Sequence, residues 1–362
     1  MKKRYIGLMS GTSLDGVDVA LCQVDNKICY LESSYFVSFP ITLKHMIINL
    51  IQNKIDIRDI GKLDHILALF FAQAVNELLE KVSLSSEEIA AIGLHGQTVW
   101  HEPTGKYPFS LQLGNASVLA SETNIDVISD FRSKDVALGG QGAPLAPAFH
   151  AFLFSNLSHC AVLNIGGMAN ISILEPELIG YDIGCGNVLM DMWIEEHLKR
   201  PYDNNGSWAK SGKVHEELLE NMLRDDYFIL KFPKSTGREY FNKKFLINYL
   251  EPFDKIAAED VQATLLALTV TSIVNEIKTF KIEKLLVCGG GVRNIFLMEN
   301  LQKRLPLIEV TSTEKYGVDA DNMEAMIFAW LADKRVKKER VGLKTVTGAK
   351  NNTVLGAIYA KD

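Results

Sequence analysis

Apolar positions along this chain come in blocks whose period changes. Residues 5–9 and 17–24 are apolar runs of strand length, separated by glycine, serine, threonine and aspartate, and they predict a hairpin. Residues 35–39 predict a third strand. Over 60–82 the apolar side chains Leu63, Ile66, Leu67, Phe70, Phe71, Ala74, Val75, Leu78 and Leu79 recur at helical spacing. Residues 89–94 predict a buried strand ending in His95-Gly96-Gln97-Thr98. A short helix at 115–122 and a strand at 125–129 ending in Asp130-Phe131-Arg132 follow, then a glycine- and proline-rich loop at 139–147.

After that loop the opening pattern returns. Residues 160–165 read as a strand, Gly166-Gly167 as a turn and 169–174 as a second strand. Helical periods occupy 187–198, 213–224, 260–279 and 319–333. A strand at 285–288 runs into Gly289-Gly290-Gly291-Val292-Arg293-Asn294 and a helix at 295–304. Alternating strand and helix periods indicate an α/β protein. The repeated strand–turn–strand grammar indicates an internal duplication. The expected division is residues 1–155 and 156–362, since 362 residues are long for one core.

Composition narrows the function classes. The 38 basic and 44 acidic residues leave a net charge of −6 and no long basic run, which argues against a nucleic-acid partner. No apolar stretch is long enough for a membrane span, and the basic start Lys2-Lys3-Arg4 gives way to glycine and serine too soon for a signal peptide. Cys22, Cys29, Cys160, Cys185 and Cys288 form no C-x-x-C pair, and read as reduced thiols of a cytoplasmic protein.

Three glycine turns follow buried strands, where α/β proteins bind ligands. In the first, Ser10-Gly11-Thr12-Ser13-Leu14-Asp15-Gly16-Val17-Asp18 sets hydroxyls beside backbone N–H groups, a composition suited to phosphate and equally to a plain turn. No Walker A loop and no G-x-G-x-x-G fingerprint occur, so phosphate would be held by hairpin turns and helix starts. Asp182, in Tyr181-Asp182-Ile183-Gly184-Cys185-Gly186-Asn187, is expected to end a short strand before a Gly-x-Gly turn. It could serve there as general base or simply as a turn-stabilising side chain. His95 with Gly96, Gln97 and Thr98 could donate to a polar ligand, or His95 could be a half-buried strand end. Arg132 could clamp an anion or pair with Asp130 or Asp135.

Together these blocks resemble the anhydro-N-acetylmuramic acid kinase family. The resemblance runs through Gly7-Leu8-Met9-Ser10-Gly11-Thr12-Ser13-Leu14-Asp15-Gly16-Val17-Asp18, His95-Gly96-Gln97-Thr98, Asp130-Phe131-Arg132, Asn164-Ile165-Gly166-Gly167-Met168-Ala169-Asn170, Asp182-Ile183-Gly184-Cys185-Gly186-Asn187, Gly289-Gly290-Gly291-Val292-Arg293-Asn294 and Leu355-Gly356-Ala357, in order over nearly the whole length. It implies membership of the sugar kinase, heat-shock-70 and actin superfamily. That means two duplicated actin-like (ribonuclease H-like) domains flanking an ATP cleft, and a cytoplasmic homodimer. Met9 and Asn164 stand where the superfamily usually carries aspartate, which leaves Mg²⁺ to Asp15, Asp18 or water alone.

The resemblance also implies roles. Water attacks C1 of 1,6-anhydro-N-acetylmuramic acid, O6 takes the γ-phosphoryl group of ATP, and Asp182 is the base that deprotonates the water. Phosphates fall to Ser10, Gly11, Thr12, Ser13, Leu14, Asp15, Gly16, Val17 and Asp18 and to the backbone of Gly166 and Gly167. Adenosine falls to Gly289, Gly290, Gly291 and Asn294, and the sugar to Thr98, Arg132 and Glu324. The product is N-acetylmuramic acid 6-phosphate, in cell-wall recycling. Two alternatives remain at this level: a conventional kinase of another amino sugar, and a non-catalytic actin-like ATP-binding protein.

Overall fold

A computed structural model of the chain describes residues 3–11, 14–52, 54 and 56–362. Among these, twelve strands form two sheets: β1 (Lys3–Ser10), β2 (Gly16–Val24), β3 (Cys29–Ser38), β4 (Ile89–Glu102), β5 (Phe109–Leu113), β6 (Val127–Ser129), β7 (Cys160–Ile165), β8 (Met168–Ile173), β9 (Ile179–Cys185), β10 (Lys284–Cys288), β11 (Glu309–Ser312) and β12 (Ala357–Tyr359). The first sheet has the order β12-β6-β4-β1-β2-β3, with β5 added on β4. The second has the order β11-β10-β7-β8-β9.

The five strands β3-β2-β1-β4-β6 and the five strands β9-β8-β7-β10-β11 share one plan. In each the first three strands are an antiparallel meander, and the fourth and fifth join parallel to the first strand's far side. Parallel joins need crossovers. One is the helix Ile57–Val82, capped by Asp56 and buried through Leu63, Leu67, Phe71, Val75 and Leu78. Its counterpart before β10 is the helix Ala258–Ile277, whose long buried face includes Leu265, Leu268, Ile273 and Val274.

The chain divides into two compact units, 1–153 with 322–362 and 154–321. This corrects the expected second half, because residues 322–362 return to the first unit. The helix Met323–Val336 packs on β1 and β4 at unusually short range. A Cβ on Gly7 would lie 1.9 Å from the Ala325 carbonyl oxygen, and one on Gly93 the same distance from that of Phe328. Trp330, on this helix, is core against Phe149 and Phe152. Gly93→Ala must separate helix from strand and is expected to cost about 3 kcal/mol, read as a lower urea midpoint for the unit.

Several elements differ from the sequence expectation. β4 continues through His95-Gly96-Gln97-Thr98 to Glu102, because β5 supplies a partner for its second half. Asp182 does not end a strand, since β9 runs on to Cys185, paired with β8. The helices Ile41–Ile51 and Ala146–Leu153 and the strands β5 and β11 were not expected; each is short or weakly periodic. All five cysteines are buried free thiols, and among the described residues no helix is long and apolar enough to cross a membrane.

Candidate active site

The first unit places part of the loop between β1 and β2 differently from expectation. Ser10 is 2% exposed, and its hydroxyl donates to Gln97 Oε1 at 2.6 Å, so it supports the loop from below instead of facing a ligand. Gln97, itself fully buried, donates from Nε2 to the Gly11 carbonyl at 3.3 Å. The Leu14 side chain, on a backbone with φ 57°, and that of Val17 point into the apolar core. Neither side chain is a ligand group. Asp15 is exposed, with Lys44 Nζ 3.7 Å away. Asp18 is half-buried opposite Met9. Gly11 is half-buried at the loop's start and Gly16 is buried where β2 begins. Thr12 and Ser13 lie outside the described residues.

On the same unit, Arg132 is the centre of a polar cluster. Its Nη1 donates to the Gly142 carbonyl at 2.7 Å and its Nη2 to His95 Nε2 at 2.8 Å. Burial and the neighbouring Arg132 charge push His95 down to about 3, so the imidazole is neutral and accepts with Nε2. His95 therefore orients the guanidinium, which corrects the expectation of a ligand donor. Burial lowers Arg132 to about 10, while the Glu324 carboxylate opposes that shift. The guanidinium stays charged at neutral pH, and its Nε is buried without a hydrogen-bond acceptor. Glu324 is exposed in the first turn of its helix. Thr98, next to Gln97 on β4, accepts at its hydroxyl from Gln112 Nε2 at 3.3 Å. A half-buried cation with a buried, orphaned N–H suits a carboxylate ligand.

The second unit carries the other expected groups. At the β7–β8 turn the Gly166 N–H donates to the Met168 carbonyl at 3.1 Å, so it is not the phosphate donor expected of it. The Gly167 N–H has no acceptor among the described residues, which leaves it available to an anion. Gly289 has φ 78°, and a Cβ there would lie 2.3 Å from Asn164 Oδ1. Gly291 fits equally tightly against Ile165. Gly290 and Asn294 share a cavity of about 640 Å³ with Asn187, Asp191, Tyr202 and Arg293. Asn294 Oδ1 also caps the helix Ile295–Arg304, accepting from the Leu297 N–H at 3.0 Å. The cavity's size and mixed lining fit a nucleoside.

Asp182 sits in mid-strand on β9, opposite Asn170. Its Oδ2 accepts from the Ser235 hydroxyl at 2.9 Å and the Thr236 N–H at 3.0 Å. Burial pushes this carboxyl up from the usual carboxylate range, and those two hydrogen bonds and the nearby Glu239 charge adjust the shift in opposite senses. A raised carboxyl is a stronger base once ionised. The loop that grips it is itself anchored. Lys234 Nζ, buried, pairs with Glu276 Oε1 at 2.7 Å, and the Tyr181 hydroxyl donates to Glu276 Oε2 at 2.8 Å. The Lys234 carbonyl accepts from the Asp182 N–H at 3.2 Å.

Sequence reasoning passed over the segment Lys234-Ser235-Thr236-Gly237-Arg238. It carries neither strand nor helix period, although its mixture of hydroxyl, glycine and arginine is an anion-loop composition. It also passed over Asp191, one helical turn after Asn187, which burial pushes up to about 7. A carboxyl raised on folding stabilises the fold fully below about pH 4, and that contribution is lost as pH rises through about 7. Asp191→Asn is therefore expected to raise the melting temperature by roughly 2–4 °C at pH 8 and to leave it unchanged at pH 4. Calorimetry at the two pH values reads this directly.

Comparison with known proteins agrees with the family resemblance. The model of the family described as "AnmK: Anhydro-N-acetylmuramic acid kinase" matches residues 3–361. The anhydro-N-acetylmuramic acid kinase of Sulfurovum sp. (strain NBC37-1) is 54% identical over 360 residues, covering 99% of each chain. That of Sulfurimonas denitrificans is 51% identical, covering 99% of this chain and 100% of the relative. That of Pasteurella multocida is 48% identical, covering 99% and 97%. The chain belongs to the anhydro-N-acetylmuramic acid kinase family, and so to the sugar kinase, heat-shock-70 and actin superfamily.

Proposed function

We propose that Asp182 is the general base of a reaction in which water opens the 1,6-anhydro ring and O6 is phosphorylated. The overall activity follows from the family: the chain is a kinase that carries out ATP-dependent phosphorylation of anhydro-N-acetylmuramic acid in peptidoglycan recycling. A 1,6-anhydro sugar has no free 6-hydroxyl. Something must break the C1–O6 bond as the O6–P bond forms. Asp182 takes a proton from water, the water oxygen bonds to C1, the C1–O6 electron pair passes to O6, and O6 bonds to the γ-phosphorus as its bond to the β,γ-bridging oxygen breaks and ADP leaves with that electron pair. This parallels an inverting glycosidase in which a phosphoryl group replaces the acid. The observation that carries the assignment is the Asp182 carboxylate, desolvated yet fixed at one oxygen by Ser235 and Thr236.

ATP with Mg²⁺ supplies the electrophilic phosphoryl group when bound. Each unit carries one copy of the duplicated strand plan, as an actin-like domain does. Phosphates fall to the backbone of Gly11, Asp15 and Gly16 and to the Gly167 N–H, and adenosine to the cavity beside Gly290 and Asn294 with Gly289 and Gly291 shaping its floor. Among the described residues no group of three or more His, Cys, Asp or Glu gathers to hold a metal. Mg²⁺ takes most of its ligands from phosphate and water, so Asp15 or Asp18 suffices to hold it. Arg132 receives the lactyl carboxylate, and Thr98 and Glu324 receive sugar hydroxyls. The same reading makes the working protein a cytoplasmic homodimer. An ATP-to-ADP assay tests it: turnover is expected with the anhydro sugar and absent with N-acetylglucosamine, N-acetylmuramic acid or no sugar.

A further inference from the structure

The guanidinium of Arg238 lies against the tip of the β7–β8 turn. A Cβ built on Gly167 would be 3.8 Å from Arg238 Nη2 and 3.9 Å from its Nε. Arg238 is exposed, and it makes no hydrogen bond or ion pair among the described residues. Its charge lowers the Asp191 carboxyl, against the larger upward push of burial. Gly167 itself offers an N–H with no acceptor among the described residues. Two positive groups, one a cation and one a backbone dipole, thus face the same small volume. Such a pairing is the usual chemistry of a phosphate site.

The position of Arg238 along the chain says which phosphate. Thr236, two residues earlier, donates its N–H to Asp182 Oδ2, and Ser235 donates its hydroxyl to the same oxygen. Two residues span at most about 7 Å between Cα atoms. The arginine is therefore tied to the end of the site where the base works. The nucleoside cavity is lined by Gly290, Asn294, Tyr202, Asn187 and Asp191, and Arg238 is not among its lining residues. Lys234, at the start of the same segment, is locked to Glu276 and cannot swing away to serve in its place.

We propose that Arg238, with the Gly167 N–H, binds the γ-phosphoryl group of the nucleotide and neutralises the charge that develops there as O6 attacks. One segment, residues 234–238, then does two things at once. It holds the base through Ser235 and Thr236 and presents the cation to the reacting phosphorus. The reactants are thereby kept in register by a single anchored piece of chain. This inference rests on the assignment of Asp182 and of the Gly167 turn above.

Arg238→Gln and Arg238→Lys test it, with nucleotide binding measured beside turnover. For Arg238→Gln, kcat is expected to fall roughly 10²–10³-fold, the scale of losing one preorganised charge stabiliser. Its Kd for a non-hydrolysable β,γ-imido analogue of ATP, measured by titration calorimetry, is expected to weaken about tenfold or more, while its Kd for ADP stays within about twofold. Arg238→Lys should recover part of both losses, since the charge returns without the planar fork. Turnover within about threefold of the parent would overturn the proposal. So would equal weakening of ADP and analogue, or a lowered melting temperature with the same kinetic loss, since these mark a structural role. An Asp182→Asn control separates the two levels. If Asp182→Asn is inactive while Arg238→Gln is normal, the inference fails and the catalytic reading stands. If Asp182→Asn is active, the reading beneath it fails.

Discussion

Asp182→Asn is expected to lose activity by about 10²–10⁴-fold in kcat, the usual worth of a positioned general base. The substitution is close to silent in structure. An asparagine carbonyl can accept from Ser235 and Thr236 as Oδ2 does now, at 2.9 and 3.0 Å. It also removes a charge that burial disfavours. Binding of ADP should persist, and calorimetry should show no drop in melting temperature at neutral pH. The parent enzyme carries a second signature. Because burial raises the Asp182 carboxyl, kcat/KM should fall on the acid side at a pH above the usual carboxylate range, as protonation removes the base. Near-normal turnover in the variant would remove Asp182 from the mechanism.

Arg132→Leu is expected to raise KM for the anhydro sugar by roughly 10²-fold, about 3 kcal/mol for a lost charge-assisted contact in a desolvated place. The selectivity of the loss matters more than its size. An anhydro-N-acetylglucosamine substrate lacks the lactyl carboxylate, so its poorer KM should barely change in the variant. Arg132 also donates to His95 and to Gly142, and those acceptors lose their partner. Some loss of stability is therefore expected, and Arg132→Lys, which keeps the charge, controls for it. Equal penalties on both sugars would assign Arg132 a structural role only.

The fold was legible wherever the apolar period was strong. The β1–β2 hairpin, its counterpart at β7–β8, the helix after β10 and the long helix Ile57–Val82 all follow from period and turn chemistry. What was not legible depends on partners far away in sequence. β4 reads as ending at Leu94, but β5 gives its polar second half a mate. Residues 322–362 read as the tail of the second half. Only Gly7 and Gly93, which admit the helix Met323–Val336 onto the first sheet, reveal otherwise, and a glycine within a strand can equally mark a bulge or a bend.

The same holds at the site. The motifs marked loops, yet not which atoms in them are already bonded. Ser10 looked like a donor to phosphate and is spent on Gln97, and Gly166 is spent on Met168. His95 looked like a ligand donor and is an acceptor that aims Arg132. Conversely, Lys234, Ser235, Thr236 and Arg238 carry no periodic signal, and their relation to Asp182 exists only once β9 and that segment lie side by side. Each polar side chain has several partners within reach along the chain, and only the folded arrangement decides which of them it bonds.

In the proposed reaction water opens the ring at C1 under the action of Asp182 while O6 accepts phosphorus. Turnover of the anhydro sugar in ¹⁸O-water, followed by mass spectrometry of the N-acetylmuramic acid 6-phosphate, tests it most directly. The label is expected in the C1 hydroxyl, with none in the phosphate. Label in the phosphate and an unlabelled C1 oxygen would contradict attack of water at C1.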